Sequence, residues 1–204
     1  MTPIDIRRRF TGSDVPFRDP DAVRGDHDLN PGFRLPLDRL REAAVLVPLV
    51  DRPEGLTVLF TQRTAHLSAH AGQISFPGGR RETYDTSSED TALRETEEEI
   101  GVGRDHVDVI GRLDTYLTRT GFRVTPVVGL LTPPFVVSPD PTEVDEVFEV
   151  PLTVILDPAM PERHSREVMG VRRFFYAFPY EQRYIWGATA GMLVNLRDVL
   201  AGAR

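Results

Sequence analysis

Apolar positions along the chain fall into short, β-branched runs that are separated by turn signals. The runs at 43–50 and 56–63 flank the sequence Asp-Arg-Pro-Glu-Gly, which is typical of a turn, so they predict a pair of strands. The runs at 106–117 and 122–131 predict two more strands. A Pro-rich stretch at 132–141 predicts a loop after them.

Other stretches have the spacing of helices. Residues 88–100 predict a helix that ends at Gly101, and residues 36–43 predict a shorter one. Near the C-terminus, the apolar stretch at 171–180 predicts a strand. Residues 183–200 then predict the end of a strand followed by an amphipathic helix.

These elements define one main domain. Residues 1–35 lack a sustained period and predict an irregular N-terminal arm, with room for a short helix near its start. Residues 36–204 mix strands and helices, which indicates an α/β (α+β) fold, an α/β/α sandwich with a mixed central sheet. A chain of 204 residues is long enough to bury a substantial core in this way.

Composition excludes or disfavours several classes of function. The net charge of −7 argues against a nucleic-acid binder that works by bulk charge, although it does not exclude a small anionic ligand. The absence of cysteine excludes disulfides, thiolate metal sites and cysteine nucleophiles. No apolar run approaches the ~20 residues of a membrane span, and the N-terminal sequence lacks the apolar region of a secretory signal. We therefore expect a cytoplasmic protein with a small-molecule partner; the sequence does not fix its oligomeric state.

Negative charge is concentrated just after a Pro-Gly-Gly turn. Between Glu82 and Glu99, eight of eighteen residues are acidic and Arg94 is the one interior base. An isolated run of acidic residues is most often a solvent-exposed face of a helix. The positions of these residues on the predicted helix therefore decide whether they could also bind a ligand.

Helical spacing divides this stretch into two faces at about 100° per residue. The apolar face, which should pack on a sheet, comprises Leu93, Thr96 and Ile100. The roughly opposite face comprises Glu95, Glu98 and Glu99, while Glu97 lies apart and is expected to be solvated or paired. Like charges at these spacings repel by roughly 0.2–0.5 kcal/mol per pair. These glutamates also lie toward the C-terminus of the helix, where the helix dipole is unfavourable for negative charge. A bound cation should therefore offset their charge. The carboxylate oxygens favour Mg²⁺ or Mn²⁺ over zinc.

The acidic stretch also matches a known motif. Residues 94–102, Arg-Glu-Thr-Glu-Glu-Glu-Ile-Gly-Val, resemble the second half of the Nudix box, Arg-Glu-aliphatic-x-Glu-Glu-x-Gly-aliphatic, with Thr96 in the aliphatic position. Gly78 and Gly79 match its glycine-rich half, so the box covers about 78–102. The resemblance implies a Nudix-type α/β/α sandwich.

The box departs from the general pattern in two ways. Arg94 lies fifteen residues after Gly79, where the general box has a separation of fourteen. Thr86, with Asp85 beside it, stands where the first glutamate is expected. The extra residue and the nearby aspartate are similar to the coenzyme A pyrophosphatase branch of Nudix hydrolases.

The sequence before the box also resembles that branch, which tends to read Leu-aliphatic-Thr-x-Arg-Ser/Ala, then Gly-x-x-x-Phe-Pro-Gly-Gly. The matching residues are Thr61, Arg63, Gly72, Phe76, Pro77, Gly78 and Gly79. Thr64 and Ser68 depart from it, and Ser68 stands where an arginine is usual. The resemblance extends over roughly 40–195 and includes Ile-Trp-Gly-Ala-Thr-Ala at 185–190.

The resemblance implies metal-dependent hydrolysis of the diphosphate of coenzyme A or its derivatives. The products would be 3′,5′-ADP and 4′-phosphopantetheine or its acyl form. By analogy with the family, Glu95 and Glu99 are the strongest ligands for Mg²⁺ or Mn²⁺, Glu98 is the next, and the Gly79 carbonyl adds an oxygen. Arg94 is expected to support the loop or a carboxylate rather than to touch substrate.

The general base is left open by the sequence. Glu98 is a candidate within the box, and Glu143 and Glu146 are candidates on a later segment. The alternative for the two later residues is that they are exposed acids at a strand end.

Candidate substrate-binding residues surround the box. Arg63 and Arg80 or Arg81 could bind phosphate oxygens, although Arg63 could equally be a structural ion-pair partner. The other two candidates are Gly78, at the tight turn, and Phe122, whose ring could shape the pocket or only pack in the core. A core position is also the simpler expectation for Trp186, and incidental polar roles are expected for His66 and His70.

Two alternatives stay open at this point. A Nudix enzyme with the same box could act on ADP-ribose or another nucleoside diphosphate derivative. The fold could also serve as a non-catalytic nucleotide-binding module, but the intact glutamates at 95, 98 and 99 argue against that.

Overall fold

The computed structural model of the protein describes residues 1–11, 22–31, 40–65 and 72–202. The α-helices in these ranges are α1 (Pro3–Thr11), α2 (Ser88–Ile100), α3 (Leu152–Ile155) and α4 (Ala188–Ala201), and a short 3-10 helix covers Arg104–His106. The strands are β1 (Val23–Gly25), β2 (Arg41–Arg52), β3 (Gly55–Arg63), β4 (Ile74–Ser75), β5 (Gly78–Arg80), β6 (Val107–Arg112), β7 (Thr115–Leu117), β8 (Phe122–Leu131), β9 (Val144–Pro151), β10 (Glu162–Val168), β11 (Val171–Tyr180) and β12 (Arg183–Trp186).

The strands form a large mixed sheet and a small antiparallel one. The large sheet has the order β1-β7-β8-β2-β3-β4, with β5 paired to β2, β6 to β8 and β9 to β3. The β2–β8 and β1–β7 pairs are parallel, and the other pairs of this sheet are antiparallel. The small sheet consists of β10, β11 and β12. The predicted strand pair is confirmed, because β2 and β3 form a hairpin.

Strand β2 is buried on both faces, as an apolar run at the centre of a sheet should be. Leu46 and Val50 pack in a cluster with residues of α2. Val47 and Leu49 point to the other side, into a larger cluster that includes the apolar face of α4. The sheet therefore lies between helices on both sides, and the expected α/β/α sandwich with a mixed sheet is confirmed.

Several predicted elements match the structure closely. The helix predicted at 88–100 is α2, and the strand predicted at 171–180 is β11. The Ser87 hydroxyl accepts a hydrogen bond from the Asp90 amide at 3.1 Å and caps α2, while Gly101 ends the helix with φ of 70°. The strand predicted at 106–117 is divided into β6 and β7.

One predicted element is wrong and one strand is not predicted, because strand pairing is not visible in the local sequence pattern. The helix predicted at 36–43 is wrong over 41–43, which open β2 and pair in parallel with β8; residues 36–39 lie outside the described ranges. Pairing with a neighbouring strand overrides helix propensity there. Strand β10 was not predicted, because its sequence Glu-Arg-His-Ser-Arg-Glu-Val has no apolar period and its structure comes from pairing with β11.

The predicted N-terminal arm contains regular structure at two places. The short helix near its start is α1, whose buried residue is Ile6. Strand β1 pairs in parallel with β7, a pairing that no local pattern in the sequence indicates. Across the described residues, no helix has the length and apolar character needed to cross a membrane.

Candidate active site

The candidate site lies where β5 runs past α2. Gly78 and Gly79 pair with Val45 and Ala44 of β2, so this backbone is packed tightly against the sheet. A side chain at Gly78, where φ is 150°, would collide with the Ala44 carbonyl, and one at Gly79 would collide with the Glu95 carboxylate. Two glycines therefore let the strand lie directly against the acidic helix.

Glu99 is the most deeply buried of the clustered glutamates, with 4% of its surface exposed. Its carboxylate accepts hydrogen bonds from the Gly78 amide at 3.1 Å and from Arg63 at 3.3 Å. Burial raises the pKa of Glu99 to about 7, against the opposing effects of Gly78 and Arg63. A positive charge at this position would stabilise the ionised form.

Glu95 lies beside Gly79 and is partly buried. Burial raises its pKa above the ordinary value, while the hydrogen bond from Arg94 acts in the opposite direction. The charges of Glu98 and Glu143 raise it further. Glu95 and Glu99 therefore form a pair of carboxylates whose burial and mutual repulsion are only partly compensated by the protein.

Glu98 faces outward and has 58% of its side chain exposed. Its carboxylate accepts from the Arg94 guanidinium at 2.8 Å. The three glutamates of the predicted acidic face therefore differ in exposure. Glu99 points to β5, Glu95 lies at the edge and Glu98 points to solvent. Glu97 is exposed, with the Arg104 side chain 3.8 Å away.

The apolar face of α2 is close to the one that helical spacing predicts. Thr96 and Ile100 are buried and Leu93 is partly buried. The Thr96 hydroxyl donates to the Ala92 carbonyl at 2.7 Å, which satisfies its polarity inside the helix. This bond explains how threonine occupies a buried position where the motif has an aliphatic residue.

Arg94 holds the loop before α2 and two glutamates together. Its Nε and Nη2 donate to the two oxygens of Asp85, each at 2.9 Å, and Nη2 also donates to the Arg80 carbonyl at 3.1 Å. Its Nη1 donates to Glu95 and Glu98, each at 2.8 Å. The guanidinium thus has partners on both sides and faces the protein.

Asp85 is a site residue that the sequence reasoning did not include. It accepts from Arg94, from the Glu82 amide and from the Thr91 hydroxyl, and Arg94 holds its pKa well below the usual range. The sequence signal that could have identified Asp85 is its position next to Thr86, which stands where the general box has its first glutamate. The Thr86 hydroxyl donates instead to Asp90.

The two late base candidates have different partners. Glu143 directly precedes β9, and its carboxylate is 3.8 Å from the Arg63 guanidinium. Glu146 lies on β9 and contacts Arg183, which stacks over Phe148. The structure thus brings Glu143 to the Glu95–Glu99 pair and directs Glu146 away from it.

The three candidate arginines also differ in whether they line a cavity. Arg63 lies between Glu99 and Glu143 and lines a cavity of about 850 Å³. Arg80 lines the same cavity. Arg81 does not point there, since its guanidinium donates to the carbonyls of Asp85 and Thr86.

The cavity extends from β5 to the small sheet. Gly78 and Phe122 line it, and Phe122 also packs under the Arg41 guanidinium at 4.0 Å. Trp186, for which a core role was expected, lines the cavity and contacts Phe175 edge to face at 5.5 Å. His66, Ser68 and His70 lie outside the described residues.

The carboxylate oxygens of this cluster are the type of ligand that a hard divalent cation prefers, but they are not arranged as a complete metal site. Glu95, Glu98 and Glu99 offer carboxylate oxygens, and helix α2 itself contains no Cys or His. Within the ranges that the structure describes, no three carboxylate or imidazole groups converge closely enough to hold a metal. Arg94 meanwhile occupies oxygens of Glu95 and Glu98. Glu99, which is buried, and Glu95, which is partly buried, are the part of the set that already faces Gly78 and Gly79.

Comparisons with known proteins identify the family of the chain. Residues 40–183 match the family model described as NUDIX domain. A protein from Photorhabdus laumondii called "Uncharacterized Nudix hydrolase NudL" is 41% identical over 78% of this chain and 84% of its own length. A protein of the same name from Escherichia coli O7:K1 is 43% identical over 76% of this chain and 81% of its own length.

A solved structure shares the fold. The crystal structure of RenU, a Nudix hydrolase from M. smegmatis, aligns with a TM-score of 0.52 at 20% identity. The alignment covers 80% of this chain and 88% of that one.

Proposed function

The chain belongs to the NUDIX domain family and is a Nudix hydrolase, and we propose that it cleaves the diphosphate bond of coenzyme A and its derivatives. The observation that carries this proposal is the Glu95–Glu99 pair, which is held against Gly78 and Gly79 at the edge of a cavity that contains Arg63 and Arg80. The products would be 3′,5′-ADP and 4′-phosphopantetheine or acyl-phosphopantetheine.

The preference for coenzyme A rests on two supports. The sequence before the box, with Arg63, Gly72 and Phe76, resembles the coenzyme A pyrophosphatase branch. The cavity of about 850 Å³ lies in the upper part of the range of small-molecule sites, which suits a long nucleotide derivative. ADP-ribose or another nucleoside diphosphate derivative is the alternative substrate for the same machinery.

The acidic residues would hold Mg²⁺ or Mn²⁺. Glu95 and Glu99 are the proposed principal ligands, and Glu98 and the Gly79 carbonyl complete the set. A bound divalent cation would neutralise the diphosphate and lower the pKa of a bound water.

The remaining residues would bind the substrate, activate the water or support the site. Arg63 and Arg80 would bind diphosphate oxygens and position the phosphorus for attack. Glu143 would take the proton from the attacking water as the new P–O bond forms and the bridging P–O bond breaks. Arg94 and Asp85 would hold the glutamates and the loop in place without touching the substrate.

A substrate panel with matched variants tests the proposal. We expect coenzyme A with Mg²⁺ or Mn²⁺ to give 3′,5′-ADP, detected by chromatography, and chelation by EDTA to abolish it. Glu99→Gln should lower kcat/KM by roughly 100-fold or more, with a smaller loss in Glu98→Gln. Glu97→Gln is the control on the same helix, because Glu97 is exposed and points toward Arg104.

Three outcomes would contradict the proposal at different points. Cleavage of ADP-ribose but not of coenzyme A would show that the substrate is wrong. Activity within about twofold of wild type in both Glu98→Gln and Glu99→Gln would show that the metal site is wrong. Nucleotide binding without turnover of any substrate would favour the non-catalytic module.

A further inference from the structure

A segment outside the family match forms one wall of the cavity. Residues 22–31, which we call the N-terminal strap, pair with β7 through β1, so that Gly25 lies opposite Leu117. Asp26 strengthens this contact by accepting from the Tyr116 hydroxyl and from the Arg119 amide, each at 2.9 Å. The strap is thereby fixed to the turn between β7 and β8.

The other end of the strap holds the small sheet. The Asn30 side chain donates to the Phe174 carbonyl at 2.9 Å and accepts from the Phe174 amide at 2.9 Å. This two-way bond resembles the pairing of two strands. The strap thus joins the β7–β8 turn to β11, and the far end of the cavity lies between them.

Two arginines from these two elements line that far end. Arg119 comes from the β7–β8 turn, and Arg166 comes from β10, where it stacks over Trp186 at 4.8 Å. In the part of the chain that the structure describes, neither guanidinium forms an ion pair. Arg173 lies opposite Arg166 in the β10–β11 ladder and also lines the cavity.

The aspartates of the same wall offset this charge only in part. Asp26, which accepts from Tyr116 and Arg119, and Asp28, which accepts from the Gly25 amide at 3.0 Å, each carry one negative charge. Arg119, Arg166 and Arg173 line the same end, so one positive charge is left in excess among these residues, in a protein whose net charge is −7. An anionic group of the ligand would balance it.

This end is separate from the proposed diphosphate position. On β2, Ala44 pairs with Gly79 while Arg41 pairs with Phe122, next to the turn that carries Arg119. Three residues of strand correspond to about 10 Å. A single diphosphate bound near Arg63 and Arg80 would not also reach this end of the cavity.

We propose that Arg119 and Arg166 form a second anion site, which binds a phosphate monoester that the substrate carries at a distance from its diphosphate. The inference rests on the proposed function and sharpens it, because coenzyme A carries such a phosphate on its ribose and ADP-ribose does not. Arginine suits this role, since its planar guanidinium matches phosphate oxygens.

Kinetics on two substrates tests the site. For the wild type, we expect KM for dephospho-coenzyme A to exceed KM for coenzyme A by roughly tenfold, as loss of a charged hydrogen bond predicts. In Arg166→Gln and in Arg119→Gln, this ratio should fall toward one through a rise in KM for coenzyme A, with kcat little changed. Arg163→Gln is the matched control, because Arg163 also lies on β10 and stacks on a ring, Phe174, but does not line the cavity.

A binding measurement separates this inference from the proposed function. By calorimetry, we expect 3′,5′-ADP to bind the wild type more tightly than 5′-AMP, and Arg166→Gln to remove the difference. If coenzyme A is not hydrolysed but this preference and its loss are seen, the proposed function is wrong and the anion site stands. If coenzyme A is hydrolysed while the two substrates have equal KM, or the ratio survives both substitutions, the anion site is wrong. Equal binding of both nucleotides in the absence of hydrolysis would overturn both.

Discussion

At the scale of single residues, Asp85 and Arg94 hold the candidate site in shape. Asp85 is almost fully buried, and its two oxygens accept from Nε and Nη2 on one edge of the Arg94 guanidinium, so neither charge is left uncompensated. The same guanidinium reaches Glu95 and Glu98. The ion pair therefore fixes the loop relative to the carboxylates that are proposed to bind metal.

We predict that Asp85→Asn destabilises the protein by roughly 1.5–3 kcal/mol at neutral pH, because a charged hydrogen-bond pair is lost. The pKa of Asp85 is lowered in the folded state, so its contribution to stability is present above the unfolded pKa of about 3.8 and is lost as pH falls below it. The difference in free energy of unfolding between wild type and variant should therefore shrink between pH 5 and pH 3. Urea denaturation at several pH values measures this, and a difference that stays constant with pH would contradict it.

At the scale of elements, strand β9 decides which late glutamate reaches the site. The β3–β9 register shifts between Gln62 and Arg63, so that Arg63 pairs with Val144. This shift places Glu143 beside the end of β3, near Arg63, and leaves Glu146 on the face that contains Arg183 and Phe148. The irregular register thus separates two residues that the sequence could not distinguish.

We predict that Glu143→Gln lowers kcat by roughly 100-fold or more, as loss of a general base does. Glu146→Gln should stay close to wild type in kcat, since its partner is Arg183 rather than the carboxylate pair. Single-turnover rates with coenzyme A compare the two variants. A larger loss in Glu146→Gln than in Glu143→Gln would reverse the assignment.

The elements also show how far sequence reasoning reaches. Helix α2 and the hairpin β2–β3 were predicted because their apolar periods, cap and turn are local features. Strands β1 and β10 were not, because each exists through pairing with a distant partner. The same distinction holds within the site, where spacing grouped Glu95, Glu98 and Glu99 but could not show that Glu99 is buried and Glu98 is not.

At the scale of the whole molecule, a buried contact joins α4 to the large sheet. The Asp114 amide donates to the Asn195 side chain at 2.8 Å, and Asn195 donates back to the Asp114 carboxylate at 3.0 Å. Arg24 of the strap donates to the same carboxylate at 3.0 Å and pairs with Asp198 of α4 at 2.7 Å. One cluster therefore ties together the sheet, the C-terminal helix and the N-terminal strap.

We predict that Asn195→Ala destabilises the protein by roughly 2–3 kcal/mol, because it leaves the buried Asp114 amide without its acceptor. For a chain of this size the melting temperature should fall by roughly 5–10 °C. Thermal denaturation followed by circular dichroism measures the shift. A fall of less than about 1 °C would show that water or another group replaces the lost bond.

The position of the strap has a consequence for how relatives of this protein are classified. The family match begins at residue 40, whereas one wall of the cavity is built from residues 22–31. Two proteins can therefore agree throughout the matched segment, with the same bond-cleaving residues, and still enclose differently shaped binding sites. Grouping by the matched segment alone sorts these proteins by reaction. Sorting them by substrate requires aligning the residues that precede it, and exchanging straps between relatives is the natural route to changing selectivity while the Nudix box is left intact.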